Sequence, residues 1–256
     1  MTTLFRLITF LGNEEFYLFL LPLIYWCVDR QGGVRLGYLS LSSAWLNDAI
    51  KYLFALPRPS DARIQVLVKE SSPSFPSGHA QGAAVNWGYL AHRFPKKLFA
   101  AIALSLILAI SFSRIVVGVH YPQDVIGGWL VGLIVLATCA WIEPGASRWL
   151  QAQKPALQLA LALGIPLLLI LLHPADTHGL YPAKGAVTPM GAMAGFGVAI
   201  LMERWWLRFQ VDGVWWKRGL RFLAGLIIAV ALYLKRWPTL LRLRCGLCAM
   251  ACSVGQ

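Results

Sequence analysis

Apolar residues in this chain come in long runs separated by short polar breaks. The runs cover about residues 16–28, 34–56, 77–92, 98–117, 123–142, 155–172, 187–202 and 219–234. Several approach the roughly 20 residues that a helix needs to cross a bilayer. The pattern predicts an all-α, polytopic integral-membrane helical bundle of about 7–8 transmembrane helices. The breaks carry residues that end helices: Asp29-Arg30, Pro57, the basic turn Arg93–Lys97, and Glu143-Pro144-Gly145. Proline stops a helix because it has no N–H to donate. The loop 57–76 is polar and holds Pro57, Pro59, Pro73 and Pro76. Residues 2–11, with the single charge Arg6, are too short to span and are expected at the interface. Residues 235–256 read as a basic interfacial tail.

Composition supports a membrane class. The chain is 58% hydrophobic and only 13% charged, whereas a soluble domain is about a quarter charged. Its net charge is +12, from 23 basic and 11 acidic residues. In a soluble domain that balance would suggest nucleic acid. Here the basic residues cluster in short turns between apolar runs, which suits topology control and anionic headgroups, so no nucleic-acid partner is expected. The basic turns at 29–35, 93–97, 143–154 and 203–218 fall on one side, cytoplasmic by the positive-inside rule. The loops at 57–76, 118–123 and 173–186 then face outward. The tail after residue 235 would also face outward, against the rule.

The cysteines add little. Cys27 and Cys139 lie inside apolar runs and read as packing residues. Cys245, Cys248 and Cys252 form C-x2-C-x3-C with no nearby histidine or further cysteine to complete a metal site. Residues 16–28 lack the small residues of a secretory cleavage site.

Charged residues within or beside a membrane are expensive and usually functional. Three clusters stand out, all on the predicted outer face. Lys51 and Arg58-Pro59 give K-x6-R-P. Pro76-Ser77-Gly78-His79 opens an apolar run. Ser113-Arg114, His120 and Asp124 give S-R-x5-H-x3-D. A helix starting near Gly78 presents free N–H groups to an anion. With three cations beside it, the expected ligand is phosphate. A histidine can act as a nucleophile when a carboxylate holds its far nitrogen, and Asp124 is four residues from His120. A second histidine can protonate a leaving oxygen. Arginine and lysine offset charge on the phosphoryl oxygens. The chain shows no carboxylate cluster for magnesium, so a mechanism with no metal and no cofactor is expected.

These clusters resemble the three signature motifs of the type 2 phosphatidic acid phosphatase family, and all eleven fixed positions match. The resemblance covers about residues 15–142. It implies an integral-membrane lipid phosphatase with a phosphatase core built from the first five helices. In that family His120 would attack phosphorus to give a phosphohistidine and Asp124 would orient it. His79 would protonate the leaving oxygen and later activate water. Lys51, Arg58, Ser77, Gly78 (through its backbone N–H) and Arg114 would hold the phosphoryl oxygens. The substrate would be a phosphorylated membrane lipid of the undecaprenyl pyrophosphate, phosphatidic acid or phosphatidylglycerol phosphate class, with a long-chain base phosphate as a further candidate. The expected location is a bacterial inner membrane with the site facing the periplasm. The expected division is 1–142 as core and 143–256 as added membrane helices and tail. The alternatives are a non-catalytic lipid-phosphate-binding or lipid-moving protein, and a family phosphatase acting on a soluble ester.

Other polar residues have plainer readings. Asn47 and Asp48 are expected to partner Lys51 one helical turn away. Asn86 is expected to make an interhelical hydrogen bond. Glu14 and Glu15 read as solvated, His92 as interfacial, and His173 and His178 as an outer rim. Gly127-Gly128, Gly191, Gly195 and Gly197 suit close helix packing, and a homodimer through 187–202 would use the last three.

Overall fold

The computed structural model describes residues 8–60, 70–176 and 178–231. Among these the regular elements are all helical: α1 (Glu14–Leu23) continuing as a π-turn (Ile24–Val28), α2 (Arg30–Phe54), α3 (Gly78–Arg93), α4 (Lys97–Val116), α5 (Pro122–Gln151), α6 (Pro155–Leu172), α7 (Lys184–Met202) with a second π-turn (Glu203–Leu207), and α8 (215–231). Among the described residues, four stretches are long and apolar enough to cross a membrane by length and composition: Lys97–Val116, Pro122–Gln151, Pro155–Leu172 and Lys184–Leu207. Their outer faces expose large apolar side chains such as Leu104, Leu133, Leu168 and Val187, as suits lipid contact. α2 and α3 differ because they bury polar residues: Ser43, Asn47, Gln81 and Asn86, and Lys51 under the loop before α3.

α3 is the centre of the bundle and packs most closely against α5 and α4. Its sequence is rich in alanine and glycine, and Ala80, Ala83 and Val85 are fully buried. Small residues let helix backbones approach. Below the polar layer, Tyr17, Leu20 and Ile24 meet Leu36, Leu39, Val85, Tyr89, Leu90 and Val135 in one apolar cluster. Asn86 accepts a hydrogen bond from the Ser40 hydroxyl of α2, the interhelical contact expected of it. Glu14 and Glu15 are exposed in the first turn of α1.

The basic turns share one end. Arg93 pairs with Asp29 at 2.7 Å, Arg35 with Glu143 at 3.0 Å, and Arg30 with Glu203. Of these, Glu203 is buried and the other two pairs are partly exposed; partly exposed pairs add little stability, but all three tie the turns together. The three motif clusters lie at the other end, around the last turn of α2, which holds Lys51.

Two boundaries differ from expectation. α5 does not close at Glu143-Pro144-Gly145 but runs to Gln151, with Pro144 inside it. A membrane helix tolerates an interior proline, and the chain on either side of this one is tied down: Arg35 holds Glu143 at 3.0 Å and the Arg148 side chain donates to the Pro144 carbonyl at 2.9 Å. α2 ends at Phe54 rather than Pro57, because Ala55 turns left-handed (φ 46°) and its N–H caps the Lys51 carbonyl. That turn sends the chain back over the helix end and brings Arg58 towards Lys51's side of the bundle. The cysteines of the tail, Arg6 and the segment after residue 231 lie outside the described residues.

Gly127 and Gly128 serve the loop before α3 as much as a neighbouring helix. A Cβ on Gly127 would meet the Phe75 ring at 2.2 Å; one on Gly128 would meet the Ser77 carbonyl oxygen at 2.7 Å. Gly128→Ala is therefore expected to lower the melting temperature and cost about 1–3 kcal/mol, as overpacking does. Gly145→Ala, with nothing within 4 Å of its Cβ, should stay near wild type. Thermal unfolding of the detergent-solubilised protein measures both, and equal melting temperatures would count against the close approach.

Candidate active site

Four helix ends and two loops converge on the site. The end of α2 brings Lys51, which is only 6% exposed. Its Nζ donates to the carbonyls of Pro73 (2.5 Å) and Ser74 (3.4 Å). Arg58 follows on the loop. Its Nε donates to the Ser72 carbonyl at 2.7 Å and its Nη1 to the Val119 carbonyl at 2.9 Å. The backbone of residues 72–74 thus satisfies both cations while holding them side by side.

α3 begins at Gly78 after an extended Ser77. The Ser77 N–H donates to the Asp124 carbonyl at 2.9 Å, which ties the second motif to the third. Asn47 donates to the Pro76 carbonyl (3.3 Å) and to Gln81 (2.8 Å), and its Oδ1 lies 3.0 Å from where a Cβ on Gly78 would stand. Gln81 in turn donates to Ser43. The Ser77 hydroxyl is buried without a partner among the described residues.

The third motif folds around the start of α5. Asp124 accepts from the Tyr121 N–H at 2.9 Å in a capping box, and from the Ser74 hydroxyl at 2.5 Å. One carboxylate therefore caps the helix and faces His120, whose Nδ1 lies 3.4 Å from both Asp124 Oδ2 and Ser74 Oγ. The opposite ring nitrogen, Nε2, is 3.3 Å from Arg58 Nη1. A guanidinium can only donate. Nε2 is therefore the lone-pair nitrogen and Nδ1 carries the proton.

The surroundings also keep the ring neutral. Burial, chiefly, pushes the His120 ring down from its ordinary 6.5 to about 4; the neighbouring cations push the same way and Asp124 opposes them. Burial also lowers the Arg58 value, though an arginine keeps its charge at any ordinary pH.

The remaining motif residues line a second compartment. Asn13, Glu70, His79 and Arg114 border a cavity of about 320 Å³. His79 Nε2 donates to Asn13 Oδ1 at 2.9 Å. Arg114, 2% exposed, donates to Glu70 Oε1 at 2.6 Å, and Glu70 Oε2 stands 3.9 Å from Arg58 Nη2. All eight residues expected from the sequence thus fall in one connected region. Their roles do not follow from proximity alone.

Several expectations change. Neither Asn47 nor Asp48 hydrogen-bonds Lys51. Asn47 holds the loop before α3, and Asp48 faces His173 Nε2 at 3.5 Å beside Gly185. The reason is rotation about α2: loop carbonyls already fill the space around the Lys51 ammonium. His173 is not on a rim but buried between Trp45, Tyr52 and Asp48. His178 is exposed, and His92 is exposed at the end of α3. Sequence reading missed Ser74, Glu70, Asn13 and Gln81. Ser74 sits among other serines of the loop, and only its contact with Asp124 singles it out.

Residues 32–148 match the PAP2 superfamily pattern, and residues 187–247 match that of the PAP2 superfamily phosphatase transmembrane extension. Phosphatidylglycerophosphatase B of Bacillus subtilis is 32% identical over 157 residues, covering 56% of this chain and 76% of that protein. This chain belongs to the PAP2 superfamily. Sphingosine-1-phosphate phosphatase 2 of Mus musculus is 27% identical over 208 residues, 77% of this chain and 57% of that protein. Undecaprenyl-diphosphatase of Sulfolobus acidocaldarius is 34% identical over 106 residues, 40% of this chain and 51% of that protein. The chain spans about half the length of the sphingosine-1-phosphate phosphatases it matches.

Between the ordinary 6.5 and about 4 the unfolded chain binds more protons at His120 than the folded chain does. Its contribution to stability is therefore complete above pH 6.5 and is lost as pH falls towards 4. An NMR titration of the labelled histidine ring should give a midpoint near 4. A midpoint at or above the ordinary value would contradict the buried neutral ring.

Proposed function

We propose that this PAP2 superfamily member is an integral-membrane lipid phosphatase that cleaves a phosphomonoester or pyrophosphate lipid through a phosphohistidine. The observation that carries the reading is the orientation of His120. Its Nδ1–H faces Asp124 and its Nε2 lone pair faces the cation cluster. A neutral imidazole presented that way is a nucleophile at neutral pH.

In the first step His120 Nε2 forms a bond to phosphorus and the bond to the leaving oxygen breaks. His79 gives that oxygen a proton. Lys51, Arg58 and Arg114, with the Ser77 hydroxyl and the Gly78 N–H at the start of α3, hold the phosphoryl oxygens as charge shifts among them. Asp124 keeps the Nδ1 proton and supports the positive ring formed on attack. In the second step water attacks phosphorus, His79 takes its proton, the P–N bond breaks, and phosphate leaves with His120 neutral again.

The site lies at the end of the bundle opposite the basic turns, so we place it on the outer, periplasmic face of a bacterial inner membrane. Residues 1–142 would form the phosphatase core, with the remaining helices added on its α2 side. The relatives' names point to three lipid phosphates: a long-chain base phosphate, a phosphatidylglycerol phosphate and a polyprenyl diphosphate. All share a terminal phosphate at headgroup depth.

The test is phosphate release by detergent-purified protein in EDTA. The panel is undecaprenyl pyrophosphate, phosphatidic acid, phosphatidylglycerol phosphate, a long-chain base phosphate and a water-soluble phosphate ester. Release should persist under chelation and fall by at least about 10³-fold in His120→Ala, the scale of losing a nucleophile. Activity untouched by that substitution, or absent on every lipid, would defeat the reading. Faster turnover of the soluble ester would move the assignment to soluble substrates.

A further inference from the structure

The roles proposed above leave one buried contact unused. Arg114 is 2% exposed and its partner among the described residues is the carboxylate of Glu70, at 2.6 Å. The second Glu70 oxygen reaches towards Arg58 at 3.9 Å. Glu70 is itself 31% exposed and lies on a loop rather than on a helix. A carboxylate thus occupies the side of the cation cluster that opens into the cavity shared with His79. Two of the three cations assigned to phosphate face it.

We propose that Glu70 is a specificity-determining residue that selects terminal phosphates against the phosphodiester headgroups of the surrounding bilayer. The inference rests on the phosphatase reading and extends it. A cradle of three cations beside a membrane is exposed to diester lipids in large excess over any substrate. Left open, it would bind their single negative charge. With Glu70 on Arg114, a diester must exchange one negative charge for another and gains nothing from the exchange. A terminal phosphate carries about −1.5 to −2 at neutral pH, so it gains on displacing the carboxylate. Displacement is easy because Glu70 sits on a loop with a third of its side chain already in solvent. The same carboxylate also repels a diester that enters beside it rather than replacing it.

The experiment measures competition in mixed micelles of a neutral detergent. Phosphatidic acid is the substrate and phosphatidylglycerol the diester competitor, each at set mole fractions. Wild type, Glu70→Gln and Glu70→Asp are compared. The readout is the ratio of the phosphatidylglycerol inhibition constant to the phosphatidic acid KM. In Glu70→Gln the ratio should fall about tenfold, the weight of one charge-assisted contact. Glu70→Asp, which keeps the charge, should lie near wild type. An unchanged ratio in Glu70→Gln overturns the proposal, as does a ratio that falls equally in Glu70→Asp, since that would mark a structural role. A second arm needs no turnover: ³¹P NMR titration of wild type and Glu70→Gln with inorganic phosphate and with dimethyl phosphate. Dimethyl phosphate should bind the variant more tightly relative to inorganic phosphate. If wild type releases no phosphate from any lipid while this arm still shows the change in preference, the phosphatase reading fails and the selectivity inference stands. No change in preference in this arm sinks the inference whatever the turnover.

Discussion

Holding like charges together at the edge of a membrane is the constraint on which this structure depends. Lys51, Arg58 and Arg114 are all largely buried. An unpaired buried charge costs several kcal/mol, more than most single packing contacts return. The fold meets that demand with backbone. The carbonyls of Ser72, Pro73, Ser74 and Val119 accept hydrogen bonds from Lys51 and Arg58. Glu70 is the acid that pairs with Arg114. Carbonyl dipoles stabilise cations without neutralising them, so the cluster keeps a net attraction for an anion. The loop before α3 is therefore a wall of the site and not merely a connection.

That loop has to be held in turn, and its supports explain much of the bundle. Asp124 takes the Ser74 hydroxyl, and its backbone carbonyl takes the Ser77 N–H. The Asn47 amide donates to the Pro76 carbonyl. Gly127 and Gly128 give the loop room to sit against α5. α2 contributes on both sides: Asn47 and Lys51 face the site, while Asp48 faces His173 and Gly37 and Tyr38 meet Phe196 of α7. The added helices thus dock on the same element that carries the lysine.

The sequence shows the helical class directly, because apolar runs of membrane length leave few alternatives. Boundaries set by composition were close: 155–172 is reproduced by α6, and 98–117 by α4 within a residue at each end. Boundaries set by punctuation were less reliable. Pro144 reads as a stop, yet α5 runs through it to Gln151, as a membrane helix with an interior proline can. The motif residues were legible because charge and spacing stood out against an apolar background. Ser74, Asn13 and Glu70 were not legible, because a serine, an asparagine and a glutamate in polar breaks look like ordinary solvated residues. Their part in the site comes from contacts across 50 (Ser74–Asp124), 66 (Asn13–His79) and 44 (Glu70–Arg114) residues of chain, which no local pattern encodes.

The position of the site at helix ends follows from the same economy of polar groups. In a helix interior every N–H and carbonyl is already used, so a membrane bundle has no free backbone to offer there. At the ends of α2 and α4 and the starts of α3 and α5, donors and acceptors are free. On the proposed reading they would also lie where a lipid's phosphate sits while its tail stays among the apolar faces of the helices. A carboxylate that caps α5 can then orient His120 at no further cost in buried charge, and the N-terminus of α3 can face an anion without leaving the bundle. On the proposed reading, chemistry on a headgroup and the stability of the helices are served by the same few residues: Asp124 makes three contacts with one oxygen, to Ser74, His120 and the Tyr121 N–H.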